Sequence, residues 1–254
     1  SDATINQKMS FQNGGVLTLG DAGNEVFWFK GGFDQATGVS AVDAVGTIRG
    51  SAAMTISGLN VNGLPLTIDS NGNPISILGQ ANVISGLNLK GSTSTFSGAS
   101  NLTTGVMTTQ TGGLSLGAGE VGFKVDGAIA GTGYTQFRSG GPVSSSNAEL
   151  KLNLGSYVAG VGTILKLVDN SGSVPVVGTF NGLPEGASYT LGDQTFIISY
   201  VGGTGNDITA RAVRTIPAPI GPVVAQPFNL EPGSLVAGIG RGQVRISWYE
   251  EGQE

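Results

Sequence analysis

The sequence predicts an all-β chain, wound as a right-handed parallel β-helix (solenoid) with a hairpin-rich C-terminal cap and an extended Pro-rich C-terminal arm. Three observations carry this. Short Val/Ile/Leu-rich runs alternate with polar residues, the 44 glycines punctuate them, and no stretch sustains a 3.6-residue apolar period over three turns. Gly, Ser, Thr and Asn supply turn chemistry, and β-branched residues suit a pleated surface. Only 11 % of residues are charged while 39 % are hydrophobic, so the chain can bury a core.

Residues 1–50 read as an N-terminal β cap. Strands are expected at Thr4–Phe11 and Val16–Leu19, joined by the turn Asn13-Gly14-Gly15. The aromatic run Phe27-Trp28-Phe29 is expected to close one end of a core. Residues 51–130 carry the solenoid repeats. Met54-Thr55-Ile56, Leu59-Asn60-Val61, Leu64-Pro65-Leu66-Thr67-Ile68, Ile75-Ser76-Ile77-Leu78, Val83-Ile84 and Leu87-Asn88-Leu89 are mostly separated by Gly58, Asn62-Gly63, Asn71-Gly72, Gly79 and Gly86. This spacing suits coils of about 20 residues. Winding most of the chain that way would give about nine coils rising about 4.8 Å each.

Residues 131–213 form a C-terminal β module with longer strands, at Ala148–Leu154, Thr163–Val168, Val174–Phe180, Gln194–Tyr200 and Asp207–Val213. Residues 214–254 form the arm, with Pro217, Pro219, Pro222, Pro227 and Pro232 favouring extended chain. It ends on the alternating run Gln243–Tyr249, read as a final strand in which Val244, Ile246 and Trp248 face a subunit interface.

Gly131-Thr132-Gly133-Tyr134-Thr135-Gln136-Phe137, Ala148-Glu149-Leu150-Lys151-Leu152 and Leu167-Val168-Asp169-Asn170 resemble the closing segment of autotransporter-associated β-strand repeat proteins. So do Val177-Gly178-Thr179-Phe180-Asn181-Gly182-Leu183-Pro184-Glu185-Gly186-Ala187, Phe196–Tyr200 and Gly202–Asp207, while Val83–Gly86, Thr95–Gly98 and Gly112–Leu116 look like one copy of the repeat. The resemblance implies a β-helix in a large, surface-exposed, secreted bacterial protein and no catalytic activity. The chain lacks the C-terminal membrane barrel of autotransporters proper, so self-translocation is not implied.

Composition narrows the partners. A formal charge of −5 without a Lys/Arg cluster argues against nucleic acid. No run approaches 18 apolar residues, so no transmembrane helix is expected. The absence of Cys suits an exported protein, and the start at Ser1 reads as a secreted chain after signal-peptide removal.

No cofactor and no enzyme activity are expected. Gly113-Leu114-Ser115-Leu116-Gly117 has the form of a nucleophile elbow, but the chain has no histidine to serve as base. Gly117-Ala118-Gly119-Glu120-Val121-Gly122 fits a dinucleotide fingerprint without a following helix pattern. Asp69-Ser70-Asn71-Gly72-Asn73 begins like a calcium loop and then departs from it at Pro74 and Gln80. Gly202–Ile208 matches a single unit of a tandem calcium repeat, which leaves Asp207 as the one weak calcium candidate. Asp169, Glu185, Asp193 and Asp207 are the carboxylates that could pair in a glycosidase or lyase, but they share no motif.

Two functions are therefore expected to compete. One is an extracellular structural subunit that polymerises with itself, head to tail, into a surface fibre, sheath or layer through strand edges. The other is a monomeric adhesin or glycan-binding passenger fragment that uses Trp28, Phe27, Phe29 or Trp248 as stacking platforms on a surface glycan.

Overall fold

The structure is a computed structural model that describes residues 3–12, 14–35, 41–103 and 107–215. Every regular element in it is a strand, and the strands wind into three parallel sheets, which we call A, B and C. Each tier visits the three in turn. The first is β1 (Ala3–Ile5), β2 (Met9–Ser10) and β3 (Leu17–Leu19). The second is β4 (Val26–Phe29), β5 (Phe33–Gln35) and β6 (Val42–Ala44), and the third β7 (Gly46–Gly50), β8 (Met54–Ile56) and β9 (Leu59–Val61). The fourth is β10 (Leu66–Asp69), β11 (Ile75–Ile77) and β12 (Ala81–Val83), followed by β13 (Leu87–Lys90), β14 (Thr93–Phe96) and β15 (Ser100–Leu102). The last two are β16 (Met107–Gln110), β17 (Gly113–Leu116) and β18 (Glu120–Lys124), then β19 (Gln136–Ser139), β20 (Val143–Ser144) and β21 (Glu149–Asn153).

Period-2 alternation explains why three-residue strands suffice. In β8, β9, β11 and β12 the outer two residues point into the core and the middle one points out. The inward residues stack in register from tier to tier. Leu59, Ala81, Ser100, Val121 and Leu150 form one such column of sheet C, and Met54, Ile75, Ser94, Leu114 and Val143 one of sheet B.

Central tiers keep the expected spacing: Ile48 pairs with Ile68, 20 positions on, and Leu66 with Leu87, 21 on. The last two are longer, with Thr108 pairing Phe137 and Phe137 pairing Val168, 29 and 31 positions on. Both extra lengths fall at the corner from sheet C to sheet A, in the turns around 125–135 and 154–163. Hence there are seven tiers where a uniform period suggested nine.

Two further expectations change. Residues 3–50 are not a separate cap, because β1–β6 pair in parallel with the following tiers. The expected strand Thr4–Phe11 is not one strand either: it is divided between β1 and β2, which lie in different sheets as successive sides of one coil.

The C-terminal module is a cap built of hairpins, as expected. β22 (Ile164–Asn170) is the last parallel strand of sheet A, and β25 (Asp207–Thr215), β24 (Gln194–Gly202) and β23 (Ser188–Leu191) continue that sheet antiparallel. The segment 176–181 lies along the last strand of sheet B, with Ser144 bridging Val177 in parallel and Asn147 N donating to Thr179 O. Phe180, Phe196, Ile198, Ile208 and Ala210 are fully buried, so the core continues into the cap. Tyr200 locks it: its hydroxyl donates to Leu183 O and accepts from Phe180 N. The Pro-rich arm and the run Gln243–Tyr249 lie outside the described residues.

Candidate functional site

The solenoid offers flat outer faces and a strand edge rather than a cleft, and each face has its own chemistry. On sheet C the outward middle residues Asp43, Asn60, Asn82 and Asn101 are in register. Asn60 Nδ2 donates to Asp43 Oδ1 at 2.7 Å, Asn82 Nδ2 to Asn60 Oδ1 at 3.0 Å, and Asn101 Nδ2 to Asn82 Oδ1 at 3.4 Å. This ladder satisfies itself. On sheet B the outward column is Asp34, Thr55, Ser76, Thr95, Ser115 and Ser144, an uncharged row of hydroxyls beyond Asp34.

Sheet A carries the charge. One outward column runs Thr4, Trp28, Arg49, Asp69 and Lys90, and beside it runs Val26, Thr47, Thr67 and Asn88. Lys30 Nζ and Arg49 Cζ lie 5.0 and 5.8 Å from the centroid of the Trp28 ring, within cation–π range. Arg49 Nε is also 3.6 Å from Asp69 Oδ2.

Of the expected stacking platforms, therefore, only Trp28 faces outward on the solenoid. Phe29 is 3 % exposed and Phe27 is half-buried, both on the core side. Phe29 packs with Phe11 and Phe33 at centroid distances of 6.4 and 5.1 Å, so of the aromatic run expected to close this end Phe29 alone joins a ring cluster. Trp248 and the interface residues Val244 and Ile246 lie outside the described residues.

The motif residues resolve as follows. Ser115 sits mid-strand on the outer face of sheet B, with no strand-to-helix turn after it. A Cβ on Gly98 would meet the backbone of Gly79, and one on Gly119 the backbone of Gly98. Of the fingerprint-like glycines, Gly119 thus belongs to a column that lets successive coils approach at a corner, and Gly122 lies within strand β18. The 69–73 segment is a tight turn, with Asn71 at φ 53° and Gly72 at φ 77°, in which Asp69 Oδ1 accepts Asn71 N.

Asp207 is fully buried, and both of its oxygens are engaged. Oδ1 accepts Asn170 N at 2.8 Å, and Oδ2 lies 3.0 Å from Lys166 Nζ and 3.4 Å from Thr204 N. A calcium ion there would have to displace an ammonium group. Lys166 Nζ also meets Asp169 Oδ1 at 2.9 Å. That contact, ahead of the one to Asp207, holds the lysine above its ordinary range against the opposing effect of desolvation.

Of the four candidate carboxylates, the fold brings Asp169 and Asp207 together with a lysine between them. Glu185 is spent on Tyr200 N at 2.6 Å, and Asp193 lies in the β23–β24 turn. Among the described residues, no three His, Cys, Asp or Glu side chains gather as a metal site, and no helix is long and apolar enough to cross a membrane.

Strand edges at the solenoid's ends were expected from the sequence, but the residues that form the first-tier edge are set by the register. Lys30 N donates to Ile5 O, Met9 N to Gly32 O, Phe11 N to Asp34 O, Leu17 N to Ala41 O, and Val45 N to Leu19 O. Peptide groups alternate in direction along a strand, so Thr4, Ser10 and Thr18 turn theirs away from the second tier. Those groups have no partner among the described residues. Beneath them Ile5, Met9, Phe11 and Leu17 are only partly buried against the core. No protein-family model, curated protein or solved structure matches this chain.

Proposed function

We propose that the chain is an extracellular structural subunit that joins its neighbours along the solenoid axis, through strand edges, into a surface fibre, sheath or layer. The observation that carries this is the first-tier edge. Among the described residues, all three sheets present backbone without a partner there over a partly exposed apolar core end, and an edge in that condition is a template for strand addition. The opposite end is treated differently, because the cap closes the core around Phe180, Phe196 and Tyr200. Unlike ends give head-to-tail contact, which extends without limit when the rotation does not close. The low charge and the absence of Cys fit an exported chain.

The run Gln243–Tyr249, with Val244, Ile246 and Trp248 on one side, is our candidate for the strand that a neighbour donates to this edge. Two variants separate the edge from the donor. Thr4→Pro/Ser10→Pro/Thr18→Pro removes the three outward N–H groups, the position at which an edge strand tolerates proline. A chain ending at Arg214 removes the donor. Light scattering after size exclusion is expected to show polymers for the full chain and monomers for both variants. Polymers of the truncated chain would remove the donor assignment alone, and polymers of the proline variant would remove the edge.

A further inference from the structure

We infer that the outer face of sheet A over the second to fifth tiers binds a linear acidic polysaccharide, one bearing carboxylates between neutral hydroxyls. Charge is the first argument. Arg49 and Lys90 share a column on this face with Asp69 as its one carboxylate, and Lys30 lies over the Trp28 ring of the same column, a local excess of positive charge on a chain of net −5. Lys30 and Lys90 have no carboxylate partner among the described residues. Glu25, at the start of β4, is turned away: its Oε2 accepts Asp21 N and Ala22 N, and those two bonds lower its pKa. At physiological salt the remote negative charge is screened beyond about 8 Å, so the local patch governs contact.

The second argument is order. The Trp28 ring holds Lys30 and Arg49 together across two tiers, so less side-chain freedom is lost when an anion binds. The third is the adjacent column. Thr47, Thr67 and Asn88 are in register one position over, and their side chains make no hydrogen bond within the chain among the described residues. In one row the cations Arg49 and Lys90 stand two tiers apart with Asp69 between them, while its neighbour offers hydroxyl and carboxamide groups that repeat at about 4.8 Å per tier. A sugar chain with carboxylates and hydroxyls matches both rows. An acidic peptide uses only the first, and duplex nucleic acid needs more cations than the face holds. The inference does not rest on the assembly proposal, since this face is distinct from the first-tier edge.

The test is isothermal titration of the full chain with polygalacturonate at low salt, with neutral dextran and duplex DNA as comparisons. Polygalacturonate is expected to bind and dextran to give no heat. Lys30→Gln/Lys90→Gln, which breaks no ion pair, is expected to weaken binding about tenfold or more. Thr47→Val/Thr67→Val is expected to weaken it with the charge unchanged, which separates recognition of the sugar from ion exchange. Absence of binding, full binding by the lysine variant, or duplex DNA binding as tightly as the polysaccharide would overturn the assignment.

Discussion

Single side chains decide how firmly the cap holds. Lys166 reaches from β22 to Asp207 at the start of β25, and Asp207 is fully buried. Replacing Lys166 with Met takes the ammonium from a fully buried carboxylate, and a buried charge left without its counter-charge is strongly destabilising. Chemical denaturation should show a loss of about 3 kcal/mol, with hydrogen exchange rising first in β22 and β25. A loss below about 0.5 kcal/mol would place this pair with ordinary surface ion pairs.

Alkaline pH probes the same region. Burial is the main cause that raises the phenols of Tyr134 and Tyr200 above their usual 10.0, and the Asp169 contact raises Lys166 above its usual 10.5. Each group prefers its protonated form when folded. Each therefore adds stability below its unfolded pKa that is lost as pH rises through the folded one. The cap should open first as pH climbs above about 10. Absorbance titration should find two of the tyrosines ionising late, and ionisation of all tyrosines at the ordinary pH would contradict this.

At the scale of the element, glycine is the organising residue. Besides the corner column of Gly79, Gly98 and Gly119, Gly112 sits against the backbone of Gly91, and Gly141 against that of Gly112. Gly98→Ala drives a methyl into the tier above and should cost about 1–3 kcal/mol in a melt. Gly63→Ala meets no atom, but it strains a φ of 88°. The glycines themselves were legible in the sequence as breaks between apolar runs, and with them the all-β class and the period of about 20. Their clash partners were not, since each lies about one coil away and only the register brings them together.

The same distance hid the asparagine ladder. Asn60, Asn82 and Asn101 stand 22 and 19 positions apart, irregular enough to mask a column that the strands align. Asn60→Asp would set a carboxylate against Asp43 and should cost about 0.5–1 kcal/mol at neutral pH. Trp28 shows the limit at the candidate site. Its aromatic neighbours had equal standing in the sequence, and only alternation within β4 separates the outward ring from the buried Phe29.

For the whole molecule, the two ends matter more than any single face. Each tier is hydrogen-bonded to the next in all three sheets, so stability accumulates through neighbouring layers and one fully paired end does not complete the other. The cap closes one end with its own hairpins, while the first tier keeps Thr4, Ser10 and Thr18 facing outward. In the proposed assembly, strand pairing between subunits therefore continues along the axis that runs within them. Fibre diffraction from aligned polymers tests this most directly. Strands lying across a continuous axis predict a meridional reflection at about 4.8 Å. Aligned fibres with that reflection off the meridian, or a chain that stays monomeric at every concentration, would contradict it.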